Sequence, residues 1–231
     1  MGSDIAGIVG RLAEVHRQID EACRKAGRTP DAVRLLAVSK TQPAEAVRAA
    51  YAAGQREFGE NYAQELDEKA AALADLPDLR WHAIGQLQRN KVKQVVKSAA
   101  VVQAVDRAEL GLEIDKRAAA IGRTIAVMVE VNVGGEASKG GCAPGDLGAL
   151  LASLRSCAHL RVTGLMTIPP ATDDPEEARP FFAVLRALRD RHGGVAALPE
   201  LSMGMSHDFA AAIAEGATLV RVGTAIFGAR G

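Results

Sequence analysis

Lys40 directly follows the apolar, β-rich segment LLAVS and precedes a segment with helical spacing of its apolar residues. At the end of a strand in an α/β fold, a lysine lies at the mouth of the fold, where partial desolvation lets its amine lose a proton and attack a carbonyl. This position suits a lysine that forms a Schiff base. The common alternative is a strand-end lysine that only reaches solvent.

Glycine and hydroxyl residues cluster in two segments near the end of the sequence, SMGMSHD (202–208) and RVGTAIFG (221–228). Glycines let backbone N–H groups approach an anion, small hydroxyls donate hydrogen bonds, and a following helix adds a positive dipole. The alternative is that Ser206 and Asp208 cap a helix and that Gly223 is a turn. The residues expected to cradle a phosphate are Ser202, Gly204, Ser206, Gly223 and Thr224.

Arg221 lies inside an apolar strand two residues before Gly223, so strand alternation puts both on one face. A buried guanidinium needs an acceptor, either a pyridine nitrogen or, alternatively, Glu60 or Glu130. Because arginine stays protonated, it would donate to a ring nitrogen and leave the ring a poor electron sink. An imine-forming lysine, a phosphate cradle and this arginine together describe a pocket for pyridoxal 5′-phosphate.

Eight short β-rich segments alternate with segments of helical spacing, after an opening helix of about residues 4–26. They cover residues 33–40, 56–60, 80–85, 101–105, 125–132, 160–167, 201–204 and 219–228. This alternation predicts an α/β fold, a single (β/α)8 TIM-type barrel domain of residues 1–231 with an additional N-terminal helix. An open doubly wound sheet is the alternative. In a parallel barrel the strands' carboxyl ends form the binding face, so the polar residues are expected to converge there.

Composition argues against several classes of partner. Lys+Arg and Asp+Glu both number 28 and aromatic residues make up 3%, so we expect no nucleic-acid partner. No apolar run reaches transmembrane length, and we expect no membrane contact. The three separated cysteines, Cys23, Cys142 and Cys157, indicate reduced thiols in a cytoplasmic protein without a metal site. No apolar heptad or interface patch marks a dimer, so we expect a monomer.

Seven motifs, spread from about residue 33 to 228, carry a resemblance to a known family. They are AVSKTQP, FGENYAQE, WHAIGQLQRNK, VNVGGEASKGG, GLMTI, LSMGMSHDF and RVGTAIFG. In this order and combination the chain resembles the pyridoxal phosphate homeostasis protein family, whose fold is similar to the N-terminal barrel domain of alanine racemase.

The resemblance implies roles for individual residues. Lys40 would hold the cofactor as a Schiff base, the cradle residues would receive its phosphate, and Arg221 would face the pyridine nitrogen. Asn61 in GENY and His82 in WHAIG match family positions that line the pocket. The alternatives are a helix N-terminal residue for Asn61 and a hydrogen-bonded strand histidine for His82.

Two further lysines, Lys91 in QRNK and Lys139 in ASKGG, are expected at the same mouth. Either would form a secondary imine or steer the anionic phosphate during entry. Solvated surface charge is the alternative for both.

Three functions compete for this pocket. The first is a protein that buffers and delivers pyridoxal phosphate in vitamin B6 homeostasis, without catalysis, with apo forms of cofactor-dependent enzymes as partners. The second is a pyridoxal-phosphate-dependent amino-acid racemase. Alanine racemase adds a second domain and a tyrosine base from a partner subunit, and neither Tyr51 nor Tyr62 is placed as that base. The third, an enzyme that binds a phosphorylated sugar at Lys40, leaves Arg221 unexplained.

Overall fold

Eight parallel strands form a closed barrel in the computed structural model, which describes residues 5–136 and 139–228. The strands follow one another in chain order, and β1 pairs with both β2 and β8. They are β1 Arg34–Val38, β2 Glu57–Glu60, β3 Arg80–Ala83, β4 Ala99–Val105, β5 Ile125–Glu130, β6 Leu160–Met166, β7 Glu200–Met205 and β8 Leu219–Val222. The prediction of a closed barrel, in preference to an open sheet, is confirmed.

Helices cover the outside of the barrel and connect its strands. They are α1 Ile5–Lys25, α2 Ala44–Ala52, α3 Ala63–Ala72, α4 Val92–Ser98, α5 Ala108–Ala119, α6 Leu147–Arg155, α7 Arg179–Arg191, α8 Gly194–Ala197, α9 Phe209–Ala214 and α10 Thr224–Phe227. Short 3₁₀ turns lie at Pro30–Ala32, Arg89–Lys91 and Pro175–Ala178. Within the described residues, no helix is both long enough and apolar enough to span a bilayer.

The N-terminal helix α1 packs against α2, α9 and α10. Its buried stripe includes Leu12, Val15 and Ile19, at the spacing of one helix face. Arg11 Nε donates to the carbonyl oxygen of Ile226 at 2.7 Å, which ties α1 to α10. The helix α10 has only four residues, and α1 covers it on the outside of the barrel while also contacting α2 and α9.

The last predicted strand, residues 219–228, is shorter in the structure. It ends at Val222, and Thr224–Phe227 form the one-turn helix α10. Ile226 and Phe227 are buried while Thr224 is exposed, which suits a helical turn against α1. The prediction was wrong here because a short apolar run has the same composition in a strand and in a helical turn.

The interior of the barrel is layered. At its amino-terminal end Arg34 donates to Glu57 and Glu200, both at 2.7 Å. The apolar layer above it is formed by Leu36, Val101, Ala104, Ala126, Met128, Met166 and Leu219. The functional cavity lies beyond this layer, at the carboxyl ends of the strands.

Candidate functional site

A cavity of about 560 Å³ opens at the carboxyl ends of the strands, and we call it the mouth cavity. The predicted site residues that line it are Lys40, Asn61, Ser206, Arg221, Gly223 and Thr224. They come from the ends of β1, β2, β7 and β8, so the structure brings together residues from both ends of the chain. The remaining lining residues are Val38, Ile84, Gly85, Gln86, Glu130, Lys139, Gly140, Ile168, Met205 and His207.

Lys40 projects from a tight turn that follows β1. The amide of Gln42 donates to the carbonyl oxygen of Ser39 at 3.0 Å, which closes the turn around Lys40 and Thr41. Lys40 is half-buried, and Ser39 is fully buried. The turn therefore directs Lys40 into the mouth cavity instead of into the helix that follows.

Arg221 lies at the floor of the mouth cavity and is almost fully buried. It donates to Ser202 Oγ and to the Thr167 carbonyl oxygen, both at 2.7 Å. Burial lowers the pKa of its guanidinium to about 10, so the group stays protonated at neutral pH. Five N–H groups belong to a guanidinium, and these two bonds leave others to donate into the cavity.

Under the cavity a chain of hydrogen bonds crosses the barrel from β3 to β8. The Gln103 amide nitrogen contacts His82 Nδ1 at 2.8 Å, and Ser202 Oγ donates to Gln103 Oε1 at 2.6 Å. Arg221 completes the chain through its bond to Ser202. His82 and Ser202 are thus fully enclosed and lie below the cavity, whereas the sequence interpretation put both in its wall. Their partner Gln103, which sequence reasoning missed, accounts for the difference.

The predicted phosphate cradle divides into two parts. Gly204 is buried at a φ of 91°, and a Cβ there would lie 2.6 Å from the Cβ of Ala212, so this glycine serves the packing of α9 on β7. It does not line the mouth cavity, in contrast to the sequence interpretation. Ser206, Gly223 and Thr224 do line it, and they remain as the candidate phosphate contacts.

Glu130, at the end of β5, also lines the mouth cavity. Its Oε2 is buried and has no hydrogen-bond partner among the described residues. Burial and, to a smaller extent, the nearby Asp106 raise the pKa of this carboxyl to about 7, and Arg221 opposes the shift. Sequence reasoning considered Glu130 only as a salt-bridge partner of Arg221, although an acidic residue ending the apolar run IAVMV was itself a signal.

The two additional lysines differ in their placement. Lys139 lines the mouth cavity, where its Nζ donates to the Pro169 carbonyl oxygen at 2.8 Å and pairs with Glu136 at 2.6 Å. Lys91 lines a neighbouring cavity of about 400 Å³ that shares Asn61 with the first. Among residues 5–136 and 139–228, no cluster of His, Cys, Asp or Glu side chains is suited to hold a metal ion.

Comparison with known proteins gives this site a family. The model of the alanine racemase N-terminal domain family matches residues 11–231. The pyridoxal phosphate homeostasis protein of Pseudomonas aeruginosa is 50% identical over 96% of both chains. That of Aquifex aeolicus is 48% identical over 95% of this chain and 97% of its own length. This chain belongs to the pyridoxal phosphate homeostasis protein family.

Solved structures agree with this family membership. PipY of Synechococcus elongatus, solved with pyridoxal phosphate bound, is 40% identical and covers 96% of this chain and all of its own, with a TM-score of 0.84. A protein from Bifidobacterium adolescentis is 38% identical over 96% of this chain and 95% of its own, with a TM-score of 0.90. Alanine racemase from Streptomyces coelicolor shares the fold, with a TM-score of 0.74, 22% identity, and coverage of 99% of this chain but 60% of the racemase.

Proposed function

We propose that this protein binds pyridoxal 5′-phosphate in the mouth cavity, buffers it in the cytoplasm and delivers it to cofactor-dependent enzymes without catalysing a reaction on a substrate. The observation that carries the proposal is that Lys40 and Arg221, from opposite ends of the chain, line the same cavity. The names of the relatives and the cofactor bound in PipY support it.

The residues present fit this cofactor. Lys40 offers a primary amine, while Ser206 and Thr224 offer hydroxyls beside the backbone of Gly223. A Cβ at position 223 would lie 3.1 Å from the Val38 carbonyl oxygen, so glycine lets the end of β8 lie close to the end of β1 at the cavity. Arg221 retains N–H donors for a ring nitrogen. The cavity therefore offers a group for the aldehyde, for the phosphate and for the ring.

When bound, the cofactor supplies an aldehyde carbon that a primary amine attacks reversibly, with loss of one water. Lys40 is the amine that the turn after β1 directs into the cavity. Arg221 can only donate a hydrogen bond at neutral pH, since its pKa of about 10 keeps it charged. Arg221 would therefore hold the ring nitrogen of the cofactor without a proton, and a ring in that state would withdraw electrons weakly. Such a site suits capture and release better than carbanion chemistry.

The positions of the tyrosines also support a carrier over a racemase. Tyr51 hydrogen-bonds to Asp78 on the outside of the barrel. Tyr62 is 60% exposed and lines the neighbouring cavity. In the part of the chain that the structure describes, no tyrosine lines the mouth cavity. A second base for exchange of an α-hydrogen is therefore not supplied by tyrosine from these residues.

The first test is the absorbance spectrum of the protein with pyridoxal phosphate, before and after saturation with alanine. We expect a band that Lys40→Ala removes, that the surface control Lys93→Ala retains and that alanine leaves unchanged. Reduction with borohydride followed by peptide mapping identifies the lysine that is modified. The double variant Lys40→Ala/Lys139→Ala then shows whether any band that remains in Lys40→Ala comes from attachment at Lys139, the second lysine of the cavity.

Two results would contradict the proposal. Absence of a band in the unmodified protein would refute binding through an amine. Conversion of the band by alanine, with exchange of its α-hydrogen into deuterated solvent, would favour the racemase.

Delivery is tested by placing the loaded protein and an apo enzyme on two sides of a dialysis membrane. Activation across the membrane shows release into solution, and activation only on mixing shows transfer by contact.

A further inference from the structure

The turn that carries Lys40 is held in an unfavourable backbone conformation. Thr41 has a φ of 64° and is the one non-glycine residue with positive φ among the described residues. A β-branched residue in this left-handed region is strained by about 1–2 kcal/mol and persists only where its surroundings impose it. Some contact outside the turn must therefore hold Thr41 and its neighbour Lys40.

Two carboxylates and one buried ammonium supply that contact. Glu65 Oε1 accepts from the Thr41 amide at 2.5 Å, and Lys69 Nζ donates to the Ser39 carbonyl oxygen at 2.6 Å. The residues on both sides of Lys40 are thus fixed by side chains of α3. Glu60 accepts from Ser39 Oγ at 2.6 Å, which fixes the start of the turn a second time.

Lys69 is the centre of this group. Its Nζ contacts Ser39 O, Glu60 Oε1 at 2.8 Å and Glu65 Oε1 at 2.7 Å, so each of its three protons has an acceptor. Its side chain is 7% exposed and that of Glu60 is fully enclosed. A lysine this deeply buried is uncommon, and all three of its bonds lead to the Lys40 turn or to the carboxylates that hold it.

We infer that Lys69 and Glu65 are positioning residues that hold the Lys40 turn in its strained form and so keep the Lys40 amine in attacking position. The inference rests on the proposed function, since it concerns attachment of the cofactor at Lys40. It adds a separate role for α3, whose residues Glu65 and Lys69 do not line the mouth cavity. Covalent attachment of the cofactor is expected to depend on Lys69 and Glu65. Non-covalent binding in the mouth cavity is expected to be independent of them.

The experiment compares two ligands that differ only at the reactive carbon. Pyridoxal 5′-phosphate reports covalent attachment through its absorbance band. Pyridoxine 5′-phosphate has no aldehyde, so its affinity reports non-covalent binding in the mouth cavity alone. The variants are Glu65→Ala and Lys69→Met. Their matched controls are Glu68→Ala, an exposed acid on the same helix, and Lys93→Met, an exposed lysine on α4. Thermal unfolding of each cofactor-free variant and amide exchange at Thr41 complete the set.

Glu65→Ala should slow covalent attachment about tenfold, the scale of one lost hydrogen bond to a charged group. It should also speed exchange of the Thr41 amide, and change the affinity for pyridoxine 5′-phosphate less than about twofold. Glu68→Ala should match the unmodified protein. Lys69→Met should slow attachment further. If loss of the Lys69 ammonium leaves the buried Glu60 carboxylate unpaired and prevents folding, Glu65→Ala decides the question, because in that variant Lys69 keeps its bond to Glu60.

Two outcomes would overturn the inference. In the first, Glu65→Ala attaches the cofactor as fast as Glu68→Ala does. In the second, its affinities for both phosphates fall together, which would mean that α3 maintains the cavity as a whole. Lys40→Ala keeps these failures apart from failure of the proposed function. If that variant retains the full band, Lys40 is not the attachment site, and the part of the proposed function that assigns attachment to Lys40 is wrong.

Discussion

Glu130→Gln should remove a pH dependence of stability that the mouth cavity creates. Burial raises the pKa of Glu130 from its ordinary value of 4.5 to about 7. The folded protein therefore keeps a proton on Glu130 in a pH range where the unfolded chain has lost it. Stability from this group is present in full below pH 4.5 and is lost as the pH rises through about 7. A pKa shift from 4.5 to about 7, at about 1.4 kcal/mol per unit, corresponds to a loss of about 3 kcal/mol in the free energy of unfolding.

The assay is urea unfolding of the cofactor-free protein and of Glu130→Gln at closely spaced pH values from 4 to 8. Glutamine has nearly the shape of a protonated glutamic acid and does not titrate. Groups such as Asp106 and Arg221 remain in both proteins, so the difference between the two stability curves isolates Glu130. We expect this difference to grow in favour of the glutamine variant by about 3 kcal/mol and then to level off above pH 7.

A difference that stays constant from pH 4 to 8 would refute the reasoning, because Glu130 would then titrate alike in the folded and unfolded states. The same carboxyl lines the mouth cavity, where a bound phosphate adds negative charge. Affinity for pyridoxine 5′-phosphate should therefore fall as Glu130 ionises, and Glu130→Gln should reduce this fall. Equal pH profiles of affinity in the two proteins would contradict that extension.

Three further predictions concern packing and the phosphate contacts. Gly204→Ala should destabilise the fold by about 3 kcal/mol in urea unfolding, since its Cβ would approach Ala212 at a φ of 91°. Gly54→Ala, with a φ of 102° and open space around its Cβ, should cost only about 1 kcal/mol, and equal costs would contradict the steric argument. Leu12→Ala in α1 should cost about 2–5 kcal/mol, while its exposed counterpart Leu112→Ala should stay within about 0.5 kcal/mol. Ser206→Ala should weaken binding of pyridoxine 5′-phosphate about tenfold, measured by calorimetric titration, and unchanged affinity would exclude Ser206 from the phosphate contacts.

The uninterrupted alternation of eight strands with helices predicted the barrel, although alternation alone did not exclude an open sheet. Lys40 could be placed at the mouth for the same reason, since a residue just after a parallel strand lies at its carboxyl end. The end of β8 was not predictable in this way. Whether residues 224–227 continue a strand or form a helical turn depends on their packing against α1, a contact with the opposite end of the chain.

Depth inside the barrel was the other quantity that the sequence could not supply. Alternation puts Ser202 and Arg221 on inward faces, but the stagger between strands decides how far each lies below the mouth. His82 and Ser202 meet through Gln103, a residue that no motif marked as functional. The raised pKa of Glu130 follows mainly from its burial, and the depth of burial at the end of a strand cannot be read from the sequence.

The packing of α1 on α9 and α10 has a consequence for how this chain folds during synthesis. The ribosome makes α1 first and its partners last, so the apolar stripe of α1 has no native cover on that side until almost the whole chain has emerged. The closing pair of strands, β1 and β8, also joins early and late segments. Contacts between such distant segments slow folding and leave apolar surface exposed in the meantime. A nascent chain that stops before α9 therefore leaves the side of α1 that packs on α9 and α10 exposed.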